Sequence, residues 1–210
     1  MTPKDQIRTW TREVGNTIFT CSTDPSLVDL AALNAALSSD TVWWGKHMTE
    51  EALKRMVENS YNICLYVTEK GDDEKGKRLP FWKYTRIHKH RELDEQHLLT
   101  KTTTFQENDK PQQQNMIGSG RLVTDYVTFG YLTDVYVLPD YQGKGLGAWM
   151  MECLNEAVEQ WPDLRRVMLL TGDEYAAKMY ERTLGAKDMR EGKMMVLERT
   201  GPGAVKKMYD

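Results

Sequence analysis

The chain has 210 residues, with 28 Lys and Arg side chains against 31 Asp and Glu side chains and a formal net charge of −3. This balance leaves no excess of positive charge to attract a phosphate backbone, so we expect no nucleic-acid partner. No apolar run approaches the ~18 residues that would span a bilayer, and the first residues lack an apolar signal core, so we expect no membrane association either.

The three cysteines are widely spaced and each lies in an apolar context, which is typical of buried free thiols in a reducing compartment. They are Cys21, Cys64 and Cys153. A chain of this length buries roughly 70% of the surface that its unfolded form exposes, which is enough for one core. We therefore expect a cytoplasmic protein with a single domain over residues 1–210, of which 201–210 form a polar tail.

The first third of the chain predicts strand, helix, helix, strand. Thr17–Ser22 is a β-prone run, and a helical stripe of apolar residues runs from Leu27 to Leu37, with Asp24 or Ser26 as its cap. Thr49 carries a capping signal for a second helix. Two adjacent tryptophans precede it, for which we expect burial beneath the helices, with a contact to the substrate as the alternative.

A long polar stretch follows the predicted strand Tyr61–Thr68. Residues 69–114 are rich in charged and amide side chains, and a segment of this length inside a compact domain is usually functional or disordered. We therefore predict an insertion between the second and third strands. Its histidines, among them His88 and His90, have no partnering carboxylate or cysteine at a recognisable spacing, so we expect no metal site.

The remainder of the chain predicts two hairpin-connected strands and then alternating helices and strands. Met116–Thr124 and Tyr131–Leu138 are the paired strands, and an apolar stripe from Leu146 to Trp161 marks a helix. Arg166–Thr171 is suited to a buried strand, a helix through Tyr180 follows, and a last strand is expected near the C-terminus, over residues 193–198. The order β-α-α-β-β-β-α-β-α-β indicates an α+β fold with a mixed sheet.

A glycine-rich turn joins the strand that ends at Leu138 to the helix that begins at Leu146. The N–H groups of a first helical turn lack intrahelical partners, and the helix dipole favours an anion there, so this turn predicts a phosphate site. A P-loop is excluded because no hydroxyl residue follows Lys144. The spacing Gly143-x-Gly145-x-Gly147 differs from that of a dinucleotide-binding fingerprint, which makes an oxidoreductase a weak alternative.

The pattern that fits is Gln/Arg-x-x-Gly-x-Gly/Ala, which residues 142–147 match at each defined position. This stretch resembles the acetyl-CoA site of the GCN5-related N-acetyltransferases, the GNAT family. The segment 173–186 is also similar to the family's next helix, although Asp173 replaces the usual Asn, Thr183 is an extra residue before the turn, and Ala186 replaces an aromatic. The resemblance implies the GNAT fold, a central mixed and mostly antiparallel sheet flanked by helices.

The resemblance further implies acetyl-CoA as cosubstrate. The turn and first helical residues would hold the pyrophosphate, and the edge of the preceding strand would pair with the pantetheine amides. The residues so implied as cofactor-binding are Val135, Tyr136, Val137, Gln142, Gly143, Lys144, Gly145, Leu146, Gly147, Ala148 and Asp173.

Two catalytic residues are predicted. Tyr180 stands where the family has the phenol that protonates the leaving thiolate, the alternative being a packed tyrosine with a satisfied hydroxyl. Asp134 is a carboxylate in an otherwise apolar strand and is the candidate base, although its face depends on where a β-bulge falls.

The function we expect is direct transfer of acetyl from acetyl-CoA to a primary amine, with a small molecule favoured over a protein as acceptor. The alternative is a CoA-binding regulatory or interaction domain without turnover. Both monomer and homodimer remain open, and the final strand, which contains Met194 and Met195, offers one dimer edge.

Overall fold

The computed structural model describes residues 3–15, 17–69 and 115–189. Their order is β1 (Thr9–Val14), β2 (Thr17–Ser22), α1 (Leu30–Leu37), α2 (Glu50–Glu58), β3 (Tyr61–Glu69), β4 (Asn115–Thr124), β5 (Phe129–Val137), α3 (Leu146–Val158), β6 (Arg166–Leu169) and α4 (Glu174–Leu184). The six strands form one sheet in the order β1-β2-β3-β4-β5-β6. Each neighbouring pair is antiparallel except β5 and β6, which are parallel. The predicted mixed, mostly antiparallel sheet is confirmed.

Several sequence predictions lie outside the described residues. These are the structure of the insertion after Glu69, its histidines, the last strand over residues 193–198 and the polar tail. The strands on either side of the insertion, β3 and β4, are direct neighbours in the sheet. The insertion therefore joins two strands that hydrogen-bond to each other. They are the third and fourth strands of the structure rather than the predicted second and third, because β1 was not predicted.

β1 was missed because its sequence, Thr-Trp-Thr-Arg-Glu-Val, is largely polar. It is an edge strand that pairs with β2 from Thr9 opposite Ser22 to Val14 opposite Thr17. Its side chains reach α3, where the Trp10 indole donates a hydrogen bond of 2.9 Å to Glu156. Polar contacts of this kind between distant residues leave no apolar pattern in the sequence.

The first helix begins later than predicted. Asp24 caps a short 3₁₀ turn by accepting from the Ser26 N–H, and a second cap, Asp29, accepts from the Ala32 N–H at 3.0 Å. The helix therefore starts at Leu30, because Asp29 satisfies the first-turn donors there. The second helix begins as predicted, with Thr49 as its N-cap.

The sheet separates two apolar layers. On one face, α3 and α4 pack over a core that includes Ile63, Leu65, Ile117, Leu122, Met150, Met151 and Leu154. On the other, α1 and α2 cover a smaller cluster that includes Leu33, Leu53, Cys64, Tyr66, Met116 and Tyr136. The predicted stripe of α3 from Leu146 to Trp161 is buried, as are all three cysteines. None of the described helices has the length and apolarity needed to cross a bilayer.

The Tyr66 hydroxyl is a buried polar atom in the smaller cluster, and the described residues place no nitrogen or oxygen partner within hydrogen-bond distance of it. The side chain is 2% exposed and its polar neighbour is the Cys64 thiol, a weak partner, so the hydroxyl carries a desolvation cost with little compensation. We expect Tyr66→Phe to leave the free energy of unfolding unchanged or to raise it by about 1 kcal/mol. Urea denaturation measures this, with Leu65→Ala as the control that should lose about 2–5 kcal/mol. A loss of more than about 1 kcal/mol in Tyr66→Phe would show that the hydroxyl is bonded.

Candidate active site

A β-bulge interrupts β5 at Asp134. The register with β4 shifts between Ser119 and Arg121, and Asp134 has a φ of 52°, in the left-handed region that residues other than glycine rarely adopt. After the bulge, Val135 and Val137 pack against the core below α3 and α4, whereas Tyr136 lies in the cluster below α1 and α2. The bulge thus sets which side chains of β5 face each side of the sheet.

Beyond the bulge, β5 has an open edge. β6 pairs with β5 from Phe129 to Leu132. The pairing stops there because β6 ends at Leu169, opposite Leu132. Within the described residues, no strand pairs with β5 at this edge from Thr133 onward. The Val137 carbonyl accepts a hydrogen bond of 2.8 Å from the Gln142 side chain. Backbone groups at such an edge are suited to pair with the amides of an extended ligand.

The glycine turn places free backbone donors at the start of α3. Gly143 and Gly145 have φ values of 74° and 73°, and a Cβ atom on either would meet nothing within 4 Å. The first intrahelical bond is from the Trp149 N–H to the Gly145 carbonyl at 3.0 Å, so the N–H groups just before it have no partner within the helix. N–H groups of this kind at a helix start favour an anion.

The side chains of Gln142 and Lys144 donate hydrogen bonds to backbone carbonyls that precede them in the chain. Gln142 reaches back to the end of β5, and the Lys144 ammonium donates to the Asp140 carbonyl at 2.6 Å while it lies 5.1 Å from the centre of the Tyr141 ring. These contacts hold the shape of the turn. Direct contact of either side chain with the cofactor stays a prediction.

Gly147 lies where α3, α4 and β5 meet. A Cβ atom at this position would be 3.8 Å from both the Met179 sulfur and a Val137 methyl carbon. The first turn of α3 therefore lies against β5 and the middle of α4. Tyr180 follows Met179 in α4, so the same contact brings the turn of α4 that carries Tyr180 close to the glycine turn and to the open edge of β5.

Tyr180 is 8% exposed and belongs to the core below α3 and α4. Burial, and next the Asp173 carboxylate, raise the pKa of Tyr180 to about 12. The phenol therefore keeps its proton throughout the neutral range. The extra residue before the turn is accommodated because the Thr183 hydroxyl donates to the Met179 carbonyl at 2.8 Å, and Gly185, with a φ of 63°, ends the helix.

Asp173 is the N-cap of α4. Its carboxylate accepts from the Tyr175 N–H at 2.8 Å and from the Ala176 N–H at 3.4 Å. The side chain thus positions the helix that carries Tyr180. Its predicted contact with the cofactor remains a prediction.

The Asp134 carboxylate lies in a hydrogen-bonded cluster on the opposite face of β5. The Arg121 Nε donates to it at 2.8 Å and the Trp44 indole at 3.3 Å, while the Arg121 Nη1 donates to the Ser60 hydroxyl at 3.2 Å. The Asp134 and Arg121 side chains are 12% and 18% exposed. The cluster is therefore largely withdrawn from solvent yet not sealed.

Arg121 and Ser60 were missed from the sequence. The signal for Arg121 was a single basic residue in the apolar and small-residue strand Met116–Thr124, joined by a hairpin to a strand with a single carboxylate. The tryptophan prediction was right for Trp44, which is partly buried against the cluster below α1 and α2, and wrong for Trp43, which is 49% exposed. The two rings meet edge to face at 5.6 Å.

No group of three or more His, Cys, Asp or Glu side chains within residues 3–15, 17–69 and 115–189 is arranged to hold a metal ion. The mixed sheet, the open edge of β5 and the glycine turn at a helix N-terminus agree with what the resemblance to the GNAT family implied. The model of the acetyltransferase (GNAT) family matches residues 54–186. The chain belongs to this family and is an acetyl-CoA-dependent acetyltransferase.

Known relatives agree with this assignment. The chain is 39% identical over 199 residues to a Gibberella zeae protein named "Putative acetyltransferase FG08082", covering 93% of this chain and 94% of that protein. It is 33% identical over 87 residues to the thialysine N-epsilon-acetyltransferase of Sus scrofa, covering 39% of this chain and 51% of that protein. A GNAT-family crystal structure from Xanthomonas campestris pv. campestris has a TM-score of 0.52 and 25% identity, covering 88% of this chain and 94% of that one.

Two glycine substitutions test the glycine turn. Acetyl-CoA at a hundredfold its dissociation constant should add about 2.7 kcal/mol to the stability of the wild-type protein and raise its melting temperature by roughly 5–10 °C. We expect Gly145→Ala to weaken acetyl-CoA binding at least about tenfold, because a methyl group would stand in the open space before the helix and strain a left-handed residue. Thermal-shift titration measures both effects.

Gly15→Ala is the matched control. Gly15 joins β1 to β2 and has a φ of 62°, and a Cβ atom there would also meet nothing within 4 Å, so the substitution strains a left-handed residue to the same degree outside the glycine turn. We expect this variant to bind acetyl-CoA like the wild type. Full binding by Gly145→Ala, or equal losses in both variants, would contradict the phosphate site.

Proposed function

We propose that the protein transfers acetyl from acetyl-CoA directly to a primary amine of a small molecule. The observation that carries this proposal is the meeting of α3, α4 and β5 at Gly147, which groups the glycine turn, the open edge and the Tyr180 helix. A small-molecule acceptor is supported by the partial match to a thialysine N-epsilon-acetyltransferase.

The cosubstrate supplies a thioester carbonyl that an amine can attack. In this proposal the backbone N–H groups of Leu146, Gly147 and Ala148 bind the diphosphate, and the β5 edge from Val135 to Val137 orients the pantetheine arm. Tyr136 contributes its backbone to that edge while its ring packs on the opposite face. The residues of the turn thus bind and orient, and take no part in the proton transfers.

Tyr180 is the proposed acid. Its raised pKa keeps the phenol protonated, so it can give a proton to the departing thiolate. Direct transfer is favoured over a cysteine-bound intermediate because Cys21, Cys64 and Cys153 are all buried in the two cores. Burial also raises the pKa of the Cys64 thiol to about 11, which disfavours the thiolate that a nucleophile requires.

Asp134 is the proposed group that receives the acceptor amine. Its carboxylate lies on the α1 and α2 side of the bulge, whereas Tyr180 lies on the α3 and α4 side. An amine and a thioester approaching from these two sides would meet at the bulge. Among the described residues, Oδ1 of Asp134 accepts from Trp44 and Thr133, whereas Oδ2 accepts from Arg121 and retains a lone pair for an amine N–H.

A panel of primary amines with acetyl-CoA tests the function, with release of free CoA and the acetylated product as readouts. We expect Tyr180→Phe to lower kcat by at least about a hundredfold without changing acetyl-CoA affinity. Because the pKa of Tyr180 is about 12, kcat of the wild type should show no loss from this group below about pH 11.

Tyr175→Phe is the matched control, since this tyrosine is 82% exposed on the same helix. We expect it to leave kcat unchanged. Unaltered turnover by Tyr180→Phe would reject the acid assignment. A complete lack of turnover across the panel, together with tight acetyl-CoA binding, would favour the binding-domain alternative.

Asp134→Asn tests the acceptor side. We expect kcat/KM for the amine to fall at least about a hundredfold, since the amide cannot take a proton, while acetyl-CoA affinity stays within about twofold. The variant leaves Arg121 without its ion pair, so a loss of up to about 3 kcal/mol in stability is also expected. Steady-state kinetics at saturating acetyl-CoA measure the first effect. An unchanged kcat/KM would remove Asp134 from the reaction.

A further inference from the structure

We propose that Arg121 selects the acceptor by charge, so that the enzyme favours an amine whose remaining part carries a carboxylate over one that carries a second ammonium group. The inference rests on the proposed function, because it takes Asp134 as the group that receives the amine. It adds a specificity-determining residue on β4 and a substrate class, the amino acids and similar carboxylate-bearing amines.

The position of Arg121 carries the first step. Its Nε lies 2.8 Å from the Asp134 carboxylate, so an amine bound to Asp134 would also lie close to the guanidinium. The hydrogen bonds to Asp134 and Ser60 use two of the five N–H donors of the planar guanidinium. The side chain is 18% exposed, so part of it is open to solvent and to a ligand.

The charge balance around Asp134 carries the second step. Among the described residues, the side chains that bond to it are Arg121 from β4, the uncharged Trp44 from the loop before α2 and the uncharged Thr133 from its own strand. The Tyr136 phenol is the titratable neighbour on β5, and burial raises its pKa, so it stays neutral. Arg121 and Asp134 together therefore present a neutral pair of opposite charges.

The neutral pair of Arg121 and Asp134 would favour different ligands from those that an isolated Asp134 carboxylate would favour. Beside Asp134 alone, a second ammonium group would add to binding. Beside the pair, that second charge meets the guanidinium, whereas a carboxylate can form the parallel double hydrogen bond that arginine prefers. Unit charges about 6 Å apart in a partly screened site change an equilibrium constant roughly tenfold or more.

Three acceptors that share one aliphatic chain test the inference: lysine, lysine amide and cadaverine. Lysine alone carries a carboxylate. We expect kcat/KM per amine to be at least about tenfold higher for lysine than for either of the others. The readout is the ratio of the kcat/KM values of two acceptors. Partial unfolding of a preparation does not alter this ratio, because the same folded molecules turn over every acceptor.

Two substitutions of Arg121 separate charge from structure. Arg121→Gln retains hydrogen-bond donors without the charge, and we expect the preference for lysine over cadaverine to fall to within about twofold of unity or to invert. Arg121→Lys retains the charge, and we expect most of the preference to survive. Arg8→Met is the control, because it breaks another arginine–carboxylate pair, the one with Glu156 on α3, and should leave the ratio unchanged.

The outcomes are distinguishable. A wild-type preference for cadaverine, or the same ratio in the wild type and Arg121→Gln, overturns the inference and leaves the proposed function intact. Turnover of other amines but of none of these three does the same. A failure to acetylate any amine at all overturns the inference together with the proposed function.

Discussion

The left-handed backbone of Asp134 is the constraint on which the candidate site depends. A residue with a side chain is strained there by about 1 kcal/mol or more, so neighbouring contacts have to hold it. Arg121 and Trp44 bind its carboxylate from one side. Gly120, opposite the bulge, is closely packed on the other face, where a Cβ atom would lie 3.3 Å from an Ile63 carbon. Without the bulge, strand alternation would exchange the faces of Val135 and Tyr136.

The ion pair at the bulge is better explained by function than by stability. Two charged side chains that are mostly withdrawn from water lose hydration energy, and apolar residues of similar size often serve a fold equally well. The surrounding clusters are otherwise apolar or carry uncharged hydroxyl and thiol groups. A charged pair beside an open strand edge therefore agrees with the acceptor role proposed for Asp134.

Local sequence patterns predicted the proposed cofactor-binding residues. The proposed acceptor-binding residues come together through long-range contacts, which leave no such pattern. The glycine turn, the stripe of α3 and the helix that carries Tyr180 are each specified by residues close together in sequence, so spacing alone revealed them. The pair of Arg121 and Asp134 joins two strands across a bulge, and no spacing rule places a bulge. β1 was missed for a related reason, since a polar edge strand shows no alternation that separates it from a loop.

β5 separates the proposed cofactor-binding side of the site from the proposed acceptor-binding side. Its Val135 and Val137 side chains face α3 and α4, and its Asp134 and Tyr136 side chains face the loop and helices that precede β3. A change at Arg121 or Trp44 would therefore alter the proposed acceptor side without disturbing the packing of Gly147 against Met179. The glycine turn on one face could therefore point to the family, whereas the proposed acceptor class has to be argued from the charges on the other face.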